Sequence, residues 1–284
     1  MQAPGVQTAL SGGPPIRSAP TLFTLSNRVA LVTGGHRSIG LEIALALAEA
    51  GAIVYCLDLP AEPDSEWRTI QRYVAELPAD QDKKGRLEYI SADVTDQKTM
   101  WSVAEKLTEK EGRIDICFAN AGIYAVDDCL EYPAEDFRKM FDVNTLGAMV
   151  TAQAAAKQMV RLGTPGSIIM TGSISASITN PTLRSMAYNA SKAAVLQMTR
   201  SMACELAAKH IRVNSISPGY INTEMTRVSF LSKPGLGERL SAQNPMGRFG
   251  RPDELRGVAL FLASDASTFC TGSDIIIDGG QCAW

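Results

Sequence analysis

The chain has 284 residues, of which 45% are apolar and 20% are charged, a balance typical of a globular protein with a substantial core. A formal net charge of −3 excludes the basic surface that nucleic acids attract, so we expect no nucleic-acid partner. No apolar run approaches the roughly 18 residues of a membrane-spanning helix, so we expect no membrane partner either.

The six cysteines are scattered along the chain, with no CxxC pair and no spacing to His36 or His210 that would build a zinc site. We therefore predict no metal site. Free thiols are typical of a reducing compartment, which favours a cytoplasmic location.

The first 24 residues are rich in Pro, Gly, Ser and Ala and lack hydrophobic periodicity, which predicts a disordered leader. They contain no continuous apolar stretch of the kind found in secretory signals. We predict one globular domain over residues 25–284, with no repeat and no second domain.

The globular part begins with a strand, a glycine turn and a helix. Residues 29–32 form the predicted strand, residues 33–40 (TGGHRSIG) the turn and residues 41–48 the helix, and a second strand ends at Asp58. Such a unit binds dinucleotides, because glycines let the backbone approach the pyrophosphate and the helix N-terminus attracts its charge. Asp58 lies 18 residues beyond Gly40, close to the usual separation of about 20 residues for the acid that binds the ribose.

Two residues bear on the choice of dinucleotide. The Asp58 carboxylate accepts hydrogen bonds from both ribose hydroxyls but repels a 2′-phosphate, which favours NAD. Arg37 in the glycine turn is the opposing feature, because a cation there can pair with that phosphate. NAD is our prediction, and NADP is the alternative.

Strands and helices continue to alternate after this unit. Predicted strands at 87–90, 114–118, 167–170 and 211–216 lead to polar or small residues at their carboxyl ends, and helices are predicted at 98–110, 135–158 and 253–262. Residues 222–250 contain several Gly and Pro and are predicted to form a mobile substrate lid. The pattern predicts an α/β fold, with one doubly wound parallel sheet covered by helices on both faces.

Tyr188 and Lys192 are the strongest catalytic candidates. They are four residues apart in a predicted helix and so share one face. A nearby ammonium lowers the pKa of a phenol, and a phenol tuned in this way suits general acid–base chemistry. Alone, such a pair is ordinary helix surface. Asn144 is either a surface or locally hydrogen-bonded amide or a functional one.

Taken together in chain order, these motifs resemble the short-chain dehydrogenase/reductase family from about Ser26 onward. The resemblance rests on the glycine turn, Asp93-Val94, Asn120 to Gly122, Asn144, Ser173, the YNASK sequence of residues 188–192, and Pro218-Gly219 with Thr223. It implies a Rossmann-type sheet of about seven strands, a nicotinamide cofactor and a homotetramer or homodimer.

The resemblance also implies a role for each matching residue. Tyr188 is the general acid or base, Lys192 lowers its pKa and holds the ribose, Ser173 binds the substrate oxygen, and Asn144 holds a water that links Lys192 to solvent. The residues implied to bind the cofactor are Gly34, Arg37, Ser38, Ile39, Gly40, Asp58, Asp93, Val94, Asn120, Ala121, Gly122, Tyr188, Lys192, Pro218, Gly219, Ile221 and Thr223.

Two departures from the family pattern affect this assignment. Ser38 replaces the second glycine of the turn, which makes the approach to the phosphates more crowded. Ser173 lies 15 residues before Tyr188 and Ser175 lies 13 before it, so Ser175 is the fallback for the catalytic serine.

The substrate is less well determined. Residues 188–192, 211–220 and 278–284 resemble fungal polyol dehydrogenases, and Ser175, Asn180 and Arg184 are polar candidates for binding a polyol such as D-arabinitol. The apolar residues Met225, Phe230, Leu231 and Leu236 favour the alternative, a bulkier hydrophobic alcohol or ketone. A non-catalytic nucleotide-sensing protein is a third reading, but such a protein would be expected to lose Tyr188, Lys192 or Ser173.

Overall fold

The computed structural model describes residues 5–13, 18–78, 84–231 and 233–284. Its strands are β1 (Val29–Thr33), β2 (Ile53–Asp58), β3 (Arg86–Ser91), β4 (Ile116–Ala119), β5 (Gly166–Thr171), β6 (Ile211–Pro218) and β7 (Asp274–Ile277). All seven pair in parallel in one sheet, in the order β3-β2-β1-β4-β5-β6-β7. The predicted parallel α/β sheet is confirmed.

The helices are α1 (Gly5–Leu10), α2 (Ser38–Glu49), α3 (Ser65–Glu76), α4 (Gln97–Glu111), α5 (Ala134–Phe141), α6 (Gly147–Leu162), α7 (Met186–Leu206), α8 (Glu224–Thr226), α9 (Leu236–Ala242) and α10 (Arg256–Ala263). Short 3-10 helices lie at Ala19–Phe23, Ile174–Ala176, Ala207–Lys209, Pro252–Leu255 and Asp265–Ser267, and π-helical turns at Asp142–Leu146 and Arg227–Leu231.

Side chains alternate across each strand, so each face of the sheet contributes to its own buried core. In β1, Leu31 belongs to a core on the side of α4 and α6, while Val32 belongs to a core on the side of α2 and α10. Strands buried on two faces read as continuous apolar runs, as in β1 and β5, since helices cover both sides.

Two segments differ from the sequence-based expectation. Within the predicted leader, residues 5–10 and 19–23 form short helices, while residues 1–4 and 14–17 lie outside the described residues. The predicted helix over residues 135–158 is two α-helices joined by the π-helical turn Asp142–Leu146, which contains Asn144. An extra residue in a helical turn shifts the faces on either side of it, and such π turns are frequent at functional sites.

The strand order reverses between β1 and β4, where the chain crosses from one half of the sheet to the other. In open α/β sheets the loops diverge at this point, and the crevice outside the carboxyl ends of the strands is the usual ligand site. The predicted functional residues follow the carboxyl ends of β1 to β6. Across the described ranges, no helix is both long enough and apolar enough to cross a membrane.

Candidate active site

The turn between β1 and α2 contains three glycines at which any side chain would displace neighbouring atoms. Gly34 has φ of +63°, and a Cβ there would lie 3.0 Å from the Ala121 Cα. A Cβ on Gly35 would lie 2.9 Å from the Cys56 Cβ, and one on Gly40 would collide with the Gly34 carbonyl oxygen. The turn therefore passes close beneath the start of α2, which leaves the N-terminal amides of this helix facing the crevice.

Ser38 takes up a backbone conformation that suits glycine. Its φ is +53°, in the left-handed region, although it has a Cβ. The sequence comparison with the family pattern predicts crowding here, and the structure adds a backbone cost of about 1–2 kcal/mol. Ser38 keeps the turn geometry that its glycine counterpart would have, at the expense of local strain.

Asp58 lies at the carboxyl end of β2 and is held in place by backbone amides. Its Oδ2 accepts a hydrogen bond from the His36 amide at 3.3 Å, and its Oδ1 accepts one from the Leu59 amide at 2.9 Å. Each carboxylate oxygen retains further acceptor capacity, which is what a ribose diol requires. Arg37, the opposing feature, forms an ion pair with Glu224 at 2.8 Å, and both side chains are more than half exposed.

The walls beside this crevice come from the next two strands. Asp93 is exposed and accepts hydrogen bonds from the amide and hydroxyl of Thr95, whereas Val94 is buried. The Asn120 amide nitrogen donates to the Thr33 carbonyl at 3.0 Å, and its oxygen accepts from the Thr171 hydroxyl at 3.1 Å. Asn120 thus ties the ends of β1, β4 and β5 together and fixes the floor of the crevice.

Gly122 has no side chain, so it leaves space between the floor of the crevice and α7. A Cβ on Gly122 would lie 3.3 Å from the Asn144 Oδ1 and 3.6 Å from the Lys192 Nζ. The glycine cradle, the Asp58 carboxylate and this open floor fit a nicotinamide dinucleotide laid from β2 toward α7. When bound, the nicotinamide accepts or supplies the hydride of an alcohol oxidation or ketone reduction.

Lys192 is buried, and its ammonium is fixed. Only 4% of the residue is exposed, its Nζ donates to the Thr171 carbonyl at 2.7 Å, and the Nζ lies 5.9 Å from the centre of the Tyr188 ring. Burial disfavours the charged form and lowers the pKa of Lys192 to about 8.

Tyr188 does not show the pKa direction expected from the sequence. Burial raises the pKa of its phenol, and a hydrogen bond with Ser173 acts in the opposite direction. The expectation that Lys192 lowers this pKa considered charge alone, and in the folded protein desolvation outweighs it. The free protein therefore holds Tyr188 as a neutral phenol.

Ser173, rather than Ser175, is the serine that contacts Tyr188. Ser173 is buried, and its Oγ also accepts a hydrogen bond from the Ser175 amide at 3.1 Å. The hydroxyl is thus oriented by the 3-10 turn that follows β5. Ser175, the alternative catalytic serine, contributes its backbone amide to this contact and does not supply a second catalytic hydroxyl.

Asn144 is fully buried, so the surface interpretation is wrong. Its Oδ1 accepts from the Ile123 amide at 2.8 Å, and its Nδ2 lies 3.0 Å from the Ile123 carbonyl and 3.1 Å from the Ser191 Oγ. The π-helical turn presents this amide toward α7 and the loop that follows β4. Asn144 therefore joins the loop after Gly122 to the helix that carries Tyr188 and Lys192.

The carboxyl end of β6 carries the remaining cofactor candidates. Pro218 ends the strand, and a Cβ on Gly219 would lie 2.7 Å from the Asp278 Cα, so the chain passes tightly under the last strand. Ile221 is buried, and Thr223 begins α8 with a reciprocal cap to Thr226. Ile39, on the opposite side, is the second residue of α2 and packs against the core.

The predicted substrate residues have different environments. Asn180 donates to the Tyr220 hydroxyl at 2.9 Å and to the Gln243 side chain at 2.6 Å, so it joins the loop before α7 to the segment predicted to be the lid. Arg184 forms an ion pair with Asp128 at 2.7 Å and its side chain is 70% exposed. The structure gives Arg184 a surface contact between two loops, and no contact of its side chain with Tyr188, Ser173 or Lys192 is present.

An apolar cluster that contains four aromatic residues adjoins Tyr188 through Tyr124, and sequence reasoning missed Tyr124, Tyr220 and Phe249. The lid cluster consists of Tyr124, Leu183, Tyr220, Phe230, Leu236, Leu240 and Phe249. The Tyr124 ring lies 4.9 Å from that of Tyr188 and 5.4 Å from that of Phe230, both edge to face. Tyr124 comes two residues after Gly122, so an aromatic side chain directly after this motif was the available signal. The side chain of Leu231, also predicted here, lies outside the described residues.

Comparison with known proteins agrees with this geometry. Residues 34–281 match a family model described as enoyl-(acyl carrier protein) reductase. The chain is 37% identical over 280 residues to the short-chain dehydrogenase/reductase notP′ of Aspergillus versicolor, covering 96% of this chain and 94% of that one. It is 39% identical over 266 residues to the sorbose reductase sou1 of Schizosaccharomyces pombe (93% and 99% covered) and 32% identical over 267 residues to a D-arabinitol 2-dehydrogenase of Candida tropicalis (92% and 95%).

Solved structures show the same fold. A short-chain type dehydrogenase/reductase from Mycobacterium marinum superposes with a TM-score of 0.85 at 41% identity, covering 93% of this chain and 99% of that one. A gluconate 5-dehydrogenase from Burkholderia cenocepacia, in complex with NADP and tartrate, gives a TM-score of 0.83 at 31% identity, covering 94% and 100%. The chain belongs to the short-chain dehydrogenase/reductase family of nicotinamide-dependent oxidoreductases and acts on alcohol groups.

Proposed function

We propose that this protein is an NAD(H)-dependent oxidoreductase that interconverts a polyol and its ketose, with D-arabinitol and a ketopentose as the model pair. The observation that carries the proposal is the grouping of Tyr188, Ser173 and Lys192 at the floor formed by Gly122. A proton donor, an oxygen-binding hydroxyl and a buried ammonium beside an open floor are what alcohol–ketone interconversion requires.

The neutral phenol of Tyr188 suits it to protonate the substrate oxygen during ketone reduction. In the oxidation direction the same residue removes the hydroxyl proton, and the hydrogen bond from Ser173 stabilises the substrate oxygen. Lys192, fixed by the Thr171 carbonyl, places a positive charge near the phenolate that then forms. In this proposal Asn144 holds the water through which Lys192 exchanges protons with solvent.

Asp58 supports NAD as the cofactor. Its carboxylate is fixed by two backbone amides where the adenosine ribose would lie, and it repels a 2′-phosphate. Arg37, the residue able to offset this repulsion, is already paired with Glu224. NADP remains the alternative, since the gluconate 5-dehydrogenase described above was solved with NADP.

Sugar and polyol substrates are supported by the relatives, because a sorbose reductase and a D-arabinitol 2-dehydrogenase align over nearly the whole chain. The lid cluster supports a second candidate, a bulkier hydrophobic alcohol or ketone, since its Tyr124 ring packs against Tyr188 and joins that residue to an apolar cluster. Ser175, Asn180 and Arg184 stay predictions for substrate binding. We also retain as proposals a homotetramer or homodimer, a cytoplasmic location, and a domain over residues 25–284 with a mobile lid at 222–250.

The test is a set of initial rates measured at the reduced nicotinamide absorbance band. NAD and NADP are each combined with arabinitol, mannitol, sorbitol, xylitol and several hydrophobic secondary alcohols. NAD-linked turnover of a pentitol or hexitol is the expected result. Turnover of hydrophobic alcohols alone would contradict the polyol proposal and favour the second candidate.

Tyr188→Phe tests the mechanism in the same assay. The variant is expected to lose about 10²–10⁴-fold in kcat, the usual contribution of a general acid or base, while binding of NADH followed by fluorescence is unchanged. A variant that keeps most of its activity would show that Tyr188 is not the proton donor. If the wild-type protein turns over none of the alcohols tested, the nucleotide-sensing alternative is favoured instead.

A further inference from the structure

The Tyr124 hydroxyl is buried and has no hydrogen-bond partner among the described residues. A buried polar atom without a partner has lost its hydrogen bonds to water and gained none in return, so native proteins contain few of them. The Ser185 hydroxyl lies near enough to favour the phenolate, but burial dominates and raises the pKa of Tyr124, which stays a neutral phenol able to donate and to accept.

The Tyr124 ring lies against the candidate active site. The Tyr124 ring meets the Tyr188 ring edge to face at 4.9 Å, and Phe230 of the lid packs on it from the other side at 5.4 Å. Tyr124 follows Gly122 by two residues, so it lies in the same loop as the floor of the proposed nicotinamide site. The lid and the loop after β4 thus hold the ring in a defined place.

The polar side chains around Tyr124 already have partners. Ser185 donates to the Asn189 side chain at 3.0 Å. Asn180 donates to the Tyr220 hydroxyl at 2.9 Å. Ser173 is engaged with Tyr188 and with the Ser175 amide. Among the described residues no hydrogen bond of normal geometry reaches the Tyr124 phenol, although Ser185 lies close to it, so the phenol can still bond a ligand.

We propose that Tyr124 binds a second oxygen of the substrate, the hydroxyl on the carbon next to the one that is oxidised. With the reacting oxygen between Tyr188 and Ser173, a neighbouring hydroxyl in a vicinal diol lies within reach of the adjacent phenol. This assignment rests on the proposed function and refines it, because it restricts the substrate class to alcohols with a hydroxyl or carbonyl oxygen on the adjacent carbon.

Tyr124→Phe removes only the hydroxyl and keeps the ring contacts with Tyr188 and Phe230. The test compares cyclohexane-1,2-diol with cyclohexanol, which differ by one hydroxyl. For the diol, kcat/KM is expected to fall at least tenfold, mainly through KM, because the site loses a hydrogen bond worth about 1.4 kcal/mol or more. For cyclohexanol, kcat/KM is expected to stay within about twofold. Equal effects on the two substrates, or no effect on the diol, would overturn the proposal.

Tyr132→Phe is the matched control, since the Tyr132 hydroxyl is also buried without a partner but its ring packs against Phe137 of α5. This variant is expected to show no selective loss on the diol. Calorimetric titration of each ring alcohol into the protein saturated with NADH gives a second measurement that needs no turnover. A wild-type protein that binds the diol no more tightly than cyclohexanol would also overturn the proposal.

The proposed function and the role of Tyr124 can be rejected independently. Open-chain polyols test the proposed function, whereas the ring pair tests Tyr124. A wild type that ignores pentitols and hexitols but prefers the cyclic diol, with this preference lost in Tyr124→Phe, would reject the polyol proposal and support the role of Tyr124.

Discussion

Arg37 and Glu224 form an ion pair at 2.8 Å that joins the glycine turn after β1 to the first helix of the lid. The pair spans the crevice in which the dinucleotide is proposed to lie. Arg37 is thereby neutralised at the position where it would otherwise attract a 2′-phosphate. We therefore expect cofactor preference to depend on Glu224 as well as on Asp58.

Glu224→Gln is expected to release Arg37 and to raise kcat/KM with NADP by roughly fivefold, with little change for NAD. The magnitude follows from the roughly 1 kcal/mol upper value of an exposed ion pair. Glu238→Gln, an exposed residue on α9 of the same lid, is the control and should leave the ratio unchanged. An unaltered NADP/NAD ratio in Glu224→Gln would show that the pair has no influence on cofactor choice.

The strained backbone at Ser38 makes a stability prediction. Ser38→Gly is expected to raise the free energy of unfolding of the cofactor-free protein by about 0.5–1 kcal/mol, because glycine adopts φ of +53° without strain but loses more entropy on folding. Urea denaturation followed by circular dichroism measures the change.

Ser65 provides a matched comparison, since it is also the first residue of a 12-residue helix but is absent from the positive-φ residues. Ser65→Gly is expected to lower the free energy of unfolding by about 0.5 kcal/mol, the difference in helix propensity. Destabilisation of similar size in both variants would mean that Ser38 is not strained.

The buried Lys192 predicts a pH dependence of stability. Its pKa is about 8 in the folded protein and 10.5 when unperturbed. The unfolded chain therefore binds more protons in this interval, and stability from this residue increases with pH. The contribution is fully present above about pH 10.5 and is lost as the pH falls to about 8, by about 3 kcal/mol.

Lys192→Met isolates this effect, because other titrating groups such as Tyr188 are common to both proteins. The free energy of unfolding of the wild type is expected to rise relative to that of the variant between pH 8 and pH 10. Urea titrations at pH 7, 8, 9 and 10 measure the difference. Parallel profiles for the two proteins would show that the Lys192 pKa is not lowered.

Phe230 links the lid to the active site through its contacts with Tyr124 and Tyr220. Phe230→Ala is expected to lower kcat/KM for the alcohol at least tenfold, because the proposed lid loses its buried contact with Tyr124, the ring that packs against Tyr188. The NADH dissociation constant should change by less than about threefold, since Phe230 lies on the side of the substrate. Met225→Ala, an exposed change in the same lid, is the control. Normal kinetics in Phe230→Ala would exclude lid closure from catalysis.

The sequence determined the features that depend on local pattern. Continuous apolar runs separated by helical periods determine a parallel sheet, since only strands buried on both faces can be uniformly apolar. The glycine turn before α2 and the separation of Asp58 from it follow from the backbone approach that a pyrophosphate needs. The YNASK sequence indicated the catalytic helix because positions four apart share a helix face.

Tertiary structure alone decided the features that depend on burial and on distant contacts. The pKa of Tyr188 is raised because packing removes water from the phenol, a term that chain spacing does not contain. The pairing of Arg37 with Glu224, 187 residues apart, and the meeting of Tyr124 with Phe230 arise only when the loops after β1, β4 and β6 converge at one edge of the sheet. Sequence order specifies which groups each strand end carries, but the folded sheet determines which of them meet and how much water remains between them.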